Sequence, residues 1–391
     1  MTWRETCAMK ERIGLMAELD RGERTMSELC RVFGVSRKTG YKWLARFRDQ
    51  GVTGLEDRSR APHTRPYMVG EPVKAALLEL RARHPDWGPQ KLLDWLSMRR
   101  VDLRLPAAST VGLLLARRGL VTARKPSRNR TPYGAPFVVA VAPNELWSAD
   151  FKGQFRTGDG RYCYPLTISD AFSRFLLCCR GLHQPRFGEV LPWFERIFRE
   201  YGLPTAIRTD NGAPFASACL GGISRLSLWW LKLGIIPERI RPGQPQQNAR
   251  HERLHGTLKR ACSPKANLYA QQRAFERFRR DYNTERPHQA LKGNTPRMHY
   301  THSPRPYPSR LPALTYPAGY EQRRVMPSGS IGWLGRKWYV AGMLAGETVG
   351  LYPIGDGIWR VHVGPLAMGT LDARNKGIDP IETVIKIPTL H

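Results

Sequence analysis

Residues 146–155 read Leu-Trp-Ser-Ala-Asp-Phe-Lys-Gly-Gln-Phe, an apolar run with one acid, Asp150, set inside it. Two more short apolar or alternating runs follow at 162–169 and 175–180, and Gly158-Asp159-Gly160 supplies a turn before the first of them. The period then changes. A helix is expected over 187–201, then a short strand over 206–210 that ends in the Asn211-Gly212 turn. Further helices are expected around 226–233, 245–260 and 267–282. Strands first, then strand alternating with helix, predict an α/β domain over residues 143–297.

Outward towards the N-terminus, the pattern is helical. Leu15 and Leu19 repeat at i, i+4, as do Leu29 and Phe33. Thr25 and Glu28 form a T-x-x-E capping box, Gly34 supplies a tight turn with Val35 plugging inward, and Ser36 is a good N-cap for a third helix. On that helix Trp43, Leu44 and Phe47 face inward, while Arg37, Lys38, Lys42 and Arg46 point outward. Helix, glycine turn and basic helix have the proportions of a helix-turn-helix that reads DNA with its last helix.

Residues 53–66 are rich in Arg, Pro and polar side chains and read as a linker. A second helical module follows. Val73, Leu77 and Leu80 mark one helix, Trp87-Gly88-Pro89 opens another, and Ser109-Thr110 is expected to cap a third. Residues 123–136 form a basic, proline-punctuated tether. Beyond the α/β domain, 298–312 read as a proline-rich basic linker, and 313–391, dense in Gly, Val, Ile and aromatics, as a small β-barrel or sandwich. The expected domains are therefore 1–66, 67–142, 143–297 and 298–391. The chain is multidomain: α-helical helix-turn-helix modules, an α/β core and a small C-terminal β domain.

The 391 residues carry 62 Lys and Arg against 33 acids, a formal net charge of +29. The excess is spread: +13 over 1–142, +12 over 143–297 and +4 over 298–391. No single tail accounts for it, and such a field favours a polyanion, with nucleic acid foremost. The seven cysteines form no CxxC pair, which suggests reduced thiols and a cytoplasmic protein. No secretory leader is visible, and the longest apolar runs, such as 137–143, are too short to span a bilayer.

Three acids stand where chemistry is expected. Asp150 lies in one strand run, Asp210 ends another, and Glu252 sits on a helix in Gln246-Gln247-Asn248-Ala249-Arg250-His251-Glu252-Arg253-Leu254-His255. Carboxylates at strand ends and on a nearby helix can converge on one cleft, and oxygen-only ligands suit Mg²⁺ or Mn²⁺. Two such ions can serve the attacking and leaving oxygens of a phosphodiester. Asn248, His255 and Lys259 share the helix face of Glu252; all three are expected DNA contacts, Lys259 at a phosphate.

In these contexts Asp150, Asp210 and Glu252 resemble the DDE triad of insertion-sequence transposases in the retroviral-integrase superfamily. The stretches that carry the resemblance are W-S-A-D-F-K, R-T-D-N-G-A-P-F, P-Q-Q-N-A-R-H-E-R-L-H-G-T-L-K and Y-N-T-E-R-P-H-Q-A-L, in order. The resemblance implies a ribonuclease-H-like core that uses two divalent ions to cut element ends and join them to target DNA. It also implies a dimer or larger assembly on double-stranded DNA, on the terminal repeats and the target. Two departures stand out. Asp210 and Glu252 are 42 positions apart, longer than the retroviral branch usually shows, with residues 220–234 expected to hold the insertion. Helix-turn-helix modules stand where a His/Cys zinc unit would be.

Two rivals follow from the same residues. A transposase-derived DNA-binding regulator that no longer cuts would share every module. His251-Glu252-Arg253-Leu254-His255 also matches H-E-x-x-H, a zinc-protease pattern in which Glu276 would be a third ligand; that reading leaves Asp150 and Asp210 without a role. Asp170, the best substitute for a triad acid, is expected to pair locally with Ser173 or Arg174. Trp333, Trp338 and Trp359 are expected in the β-domain core, with Arg336-Lys337 beside them. Asn283, Arg286, Pro287 and His288 are expected to pack the end of the core or to hold phosphate.

Overall fold

A computed structural model describes residues 7–58, 69–121, 140–240, 249–375 and 377–381. The chain divides into two compact units, 1–68 and 69–391. The first holds three helices, α1 (Ala8–Asp20), α2 (Met26–Val32) and α3 (Arg37–Gln50). The Thr25 hydroxyl accepts the Glu28 amide while the Glu28 carboxylate accepts the Thr25 amide at 2.8 Å, so the capping box forms as the sequence predicts. Ser36 caps α3 by accepting the Thr39 amide at 3.2 Å.

Gly40 lets α2 and α3 approach: a Cβ there would stand 2.6 Å from the Cys30 sulfur. Leu15, Met16, Leu29, Trp43 and Leu55 form the buried centre. Leu55 corrects the linker expected over 53–66. It is fully buried, and its carbonyl accepts a bond from Arg12, so the first of those residues belong to the module; residues 59–68 lie outside the described ones.

In the second unit, α4 (Glu71–Arg83), α5 (Pro89–Arg99) and α6 (Ala108–Arg117) close around Leu77, Leu92, Val111 and Leu115. Proline opens both α4 and α5, where its missing N–H costs nothing. The N-cap of α6 is Ala107 with no side-chain bond, so the cap lies two to three residues before the expected Ser109-Thr110. The basic tether at 123–136 lies outside the described residues.

The core is a mixed sheet of β1 (Leu146–Phe151), β2 (Phe155–Arg156), β3 (Tyr162–Asp170), β4 (Leu176–Leu182), β5 (Ala206–Thr209) and β6 (Ile236–Arg239). β4, β3 and β1 are antiparallel neighbours; β1, β5 and β6 are parallel. The expected 146–155 strand is split after Phe151, where Gly153 takes a positive φ. One face of the sheet packs on α7 (Phe187–Tyr201) and α8 (Arg225–Lys232) through Trp147, Phe194, Phe198 and Trp230. The other packs on α9 (Ala249–Ala261) and α10 (Leu268–Thr284) through Cys179, Leu254, Leu258 and Phe275.

The long spacing between Asp210 and Glu252 has a structural use. α8 is apolar on both sides. Leu226, Trp230 and Leu233 enter the sheet core, while Ile223, Leu228 and Leu231 join the core of the C-terminal β domain. That domain is a five-stranded sheet, β7 (Glu321–Arg324), β10 (Thr348–Gly355), β11 (Ile358–Val363), β12 (Leu366–Asp372) and β13 (Ile378–Pro380), with a hairpin of β8 (Ser330–Trp333) and β9 (Arg336–Tyr339). Trp338 is buried in its core, and Trp333 and Trp359 pack edge to face at its margin. The expected linker at 298–312 is instead a strap held to the core: Ser303 donates to the Tyr201 carbonyl, and the Arg305 guanidinium donates to the carbonyls of Pro204 and Leu233. Substituting Trp230→Ala should lower unfolding free energy by about 3–5 kcal/mol, read as a lower denaturant midpoint. An unchanged midpoint would contradict the placement of α8 in the core.

Candidate active site

Strand register brings the two aspartates together. β1 pairs in parallel with β5, Ser148 opposite Arg208; Asp150 lies two residues further along β1, and Asp210 is the first residue past the end of β5. Parallel register thus sets both aspartates at the same end of two neighbouring strands. Asp210 is half-buried; its carboxylate accepts the Gly212 amide at 3.2 Å, and burial pushes its pKa above the ordinary carboxylate value. Behind it, Arg208 and Glu238 form a buried two-pronged ion pair at 2.9 and 3.2 Å that ties β5 to β6. Sequence reading missed this pair because β6, Ile-Pro-Glu-Arg, carries no strand pattern.

Glu252 is exposed in the first turn of α9. Its neighbours fix that helix to the strand of Asp150. The Thr167 hydroxyl, directly across the ladder from Asp150, lies 2.7 Å from His251 Nε2 and 2.8 Å from His255 Nε2, and it donates to the Asp150 carbonyl at 3.2 Å. Burial pushes His251 down to about 3 and His255 to about 4. Both histidines are therefore spoken for, and His255, expected as a DNA contact, turns inward to Thr167 instead; Glu276 is bonded to Gln272 and Arg279 on α10. Among the described residues, no three His, Cys, Asp or Glu side chains are grouped closely enough to hold a metal ion. The Thr167 contacts of both histidine Nε2 atoms are what weigh against the H-E-x-x-H zinc reading. The carboxylate set stands as a strand-end pair, Asp150 and Asp210, with Glu252 beside them on α9 and not yet gathered around one point.

The remaining expectations sort by geometry. Asp170 is buried and accepts the Ser173 amide and hydroxyl and the Asn144 amide at 2.6–2.8 Å, so it closes the β3–β4 turn through Ser173; the Arg174 side chain instead bonds the Ala171 carbonyl. Asn283 bonds both backbone groups of Leu176, locking α10 to β4. Arg286 pairs with Asp86, and Glu285 accepts from Trp95 and Arg99, so this motif docks the second helical module on the core. Lys259 is exposed on α9, while Asn248 lies outside the described residues. On α3, Arg37, Lys38 and Lys42 are exposed. Arg46 is half-buried, with its guanidinium 5.0 Å from the Trp43 ring, so it points less freely outward than expected; the Lys42 ammonium also leans on that ring at 4.7 Å.

The comparisons with known proteins agree with this architecture. Residues 140–245 and 233–296 match families described as Integrase core domain. Residues 11–63 match a Helix-turn-helix domain and 39–115 a Homeodomain-like domain. The chain is 32% identical over 153 residues to the insertion element IS407 uncharacterized 31.7 kDa protein of Burkholderia multivorans, covering 38% of this chain and 53% of that one. It is 27% identical over 229 residues to the insertion element IS476 uncharacterized 39.2 kDa protein of Xanthomonas euvesicatoria, covering 57% and 63%. The matches thus span between half and two thirds of these relatives' lengths. A chain of the simian T-cell lymphotropic virus intasome in complex with PP2A regulatory subunit B56 gamma is 16% identical, with coverage of 78% and 98% and a TM-score of 0.37. The chain thus matches integrase-core families behind helix-turn-helix families, and it is similar to proteins of insertion elements.

The buried histidines give the fold a pH dependence with a definite sign. His251, His255 and His288 are held at about 3, 4 and 3, below the unfolded value near 6.5. The unfolded chain therefore binds protons that the fold refuses, and stability present above pH 6.5 is lost as pH falls below it. Each group contributes up to about 1.4 kcal/mol per pH unit. Thermal denaturation should show Tm falling from pH 7.5 to 5.5; a flat profile would contradict the burial of these rings.

Proposed function

We propose that this protein is an active transposase, one that cuts the ends of its own insertion element and joins them to target DNA. The observation that supports the reading is the parallel register of β1 and β5, which sets Asp150 and Asp210 at the same end of neighbouring strands, with Glu252 on a helix anchored to β3 through Thr167. All three donate oxygen only, and the half-buried setting of Asp210 penalises its bare charge, which a cation would relieve. Such a set fits Mg²⁺ or Mn²⁺ and not zinc. Asp150 with Asp210 would hold one ion and Asp150 with Glu252 the second. When bound, the ions supply Lewis-acid activation of the attacking oxygen and charge neutralisation at the leaving oxygen.

The chain's own residues then bind and orient. Lys259, exposed two turns along α9 from Glu252, is set to hold a phosphate of the strand that lies across the carboxylates. On α3, Arg37, Lys38 and Lys42 contact the terminal repeat, with phosphate contacts supplying most of the salt-sensitive affinity and base-edge contacts the register. Asn248, four positions before Glu252 in the sequence, is assigned to the same set of DNA contacts. Two ends must be joined together, so the working form is a dimer or larger assembly on double-stranded DNA. No helix among the described residues is long and apolar enough to cross a membrane, and the place of action is the DNA of a bacterial cytoplasm.

The direct test is cleavage and joining on DNA that carries the element ends, with Mg²⁺ or Mn²⁺, comparing the wild type with Asp210→Asn. Metal-dependent cutting that disappears in the folded variant supports the reading. Tight binding with no cutting by either protein would favour the DNA-binding regulator. Separately, Arg37→Ala with Lys42→Ala should weaken end binding and lower the magnitude of its salt slope by about 1.8, from about 0.9 per lost phosphate contact, while cutting of saturating pre-nicked DNA persists. Unchanged binding in that pair of substitutions would remove α3 from the interface.

A further inference from the structure

His251 and His255 bracket Glu252 at a spacing that serves zinc in other folds, yet here both rings turn to one threonine. The two side chains lie at i and i+4 on one face of α9, and Glu252 projects from the neighbouring face, about 100° round the helix from His251. Thr167 faces them from β3, opposite Asp150 in the ladder. Its hydroxyl has three partners: the Asp150 carbonyl at 3.2 Å, His251 Nε2 at 2.7 Å and His255 Nε2 at 2.8 Å.

A hydroxyl has one proton to give and two lone pairs to fill. The carbonyl can only accept. One assignment therefore makes all three contacts hydrogen bonds at once: Thr167 donates to Asp150, and each imidazole donates its Nε2–H to Thr167. His251 and Thr167 are fully buried, so water cannot substitute for a missing partner.

We infer that Thr167, His251 and His255 are positioning residues, a three-membered clamp that sets the helix of Glu252 at a fixed height against the strand of Asp150. The clamp rests on the reading of Asp150 and Glu252 as carboxylates of one site. Glu252 is the triad acid supplied by a helix and not by the sheet, so its placement needs an anchor that backbone pairing does not give. The apolar contacts of Leu254 and Leu258 hold α9 to the sheet, but apolar contacts tolerate sliding that a hydrogen-bonded triad does not. The bond to the Asp150 carbonyl makes one atom, Thr167 Oγ1, common to both carboxylate-bearing elements.

The test combines a spectroscopic signature with kinetics, using the full chain. In ¹⁵N-histidine-labelled wild type, long-range ¹H–¹⁵N spectra should show His251 and His255 neutral with the proton on Nε2. Thr167→Ser keeps the hydroxyl and should retain that signature and cut end DNA within about twofold of wild type. Thr167→Val keeps the shape and removes the oxygen; it should lose the signature and about tenfold or more of kcat, with the KM for DNA unchanged, the scale of effect expected when a reacting group is misplaced. Circular dichroism establishes that each variant is folded, and the serine variant carries the conclusion should the valine variant fail to fold.

A proton on Nδ1 of either ring, or a valine variant that cuts as fast as wild type, would overturn the clamp while leaving the cutting activity in place. Equal loss in the folded serine and valine variants would overturn it as well. A wild type that binds end DNA but never cuts it, with both rings protonated on Nε2, would instead overturn the reading of the site on which the positioning role depends.

Discussion

The parallel pairing of β1 with β5 is the constraint on which the site depends. Antiparallel neighbours would send the two strands to opposite ends of the sheet, and a slip of one residue would turn Asp150 or Asp210 towards the apolar core. The register is held from several sides. Trp147 and Ala149 are buried against α7 and α8, Asp150 lies opposite Thr167 in the antiparallel ladder to β3, and the Arg208–Glu238 pair fastens β5 to the edge strand. Breaking one partner of such a buried pair leaves an uncompensated charge, so it specifies register more firmly than a surface pair could. The chemistry proposed for the strand ends would thus rest on packing and electrostatics one layer behind it.

A second level of organisation joins the modules of the larger unit. α8 is buried on both sides and belongs at once to the sheet core and the C-terminal β domain. The strap after residue 300 passes back over α7 and α8, with Tyr307 against Phe198 and Trp229. At the far end of α10, Glu285 and Arg286 receive Trp95, Arg99 and Asp86 of the second helical module. Residues that look like a charged tail to a helix are therefore a docking surface. The core does not simply carry appendages on strings; it shares hydrophobic and ionic contacts with what lies before and after it.

Much of this was legible from local chemistry. The Thr25–Glu28 box, the Gly34 turn and the Ser36 cap are near-neighbour effects, and the structure forms each of them. Strands β1, β3, β4 and β5 and the helix at 187–201 followed from periodicity and turn residues. What was not legible depended on partners distant in sequence. β6 contains Pro237, which an edge strand tolerates but which hides the strand from pattern reading. Leu55 and the 298–312 strap looked like linker because proline and arginine dominate their surroundings, while burial was decided by helices and carbonyls elsewhere. The H-E-x-x-H spacing was plain, but its meaning lay in a threonine 84 residues away from His251.

The central claim is that Asp150 and Asp210 together form a cation site at the ends of β1 and β5. Crystals of the protein with end DNA and Mn²⁺, with anomalous scattering recorded for manganese, would locate that ion without reference to turnover. The account predicts a peak between the Asp150 and Asp210 carboxylates, with Glu252 drawn in beside it. A peak at His251 and His255, or none near the strand ends at saturating Mn²⁺, would contradict it.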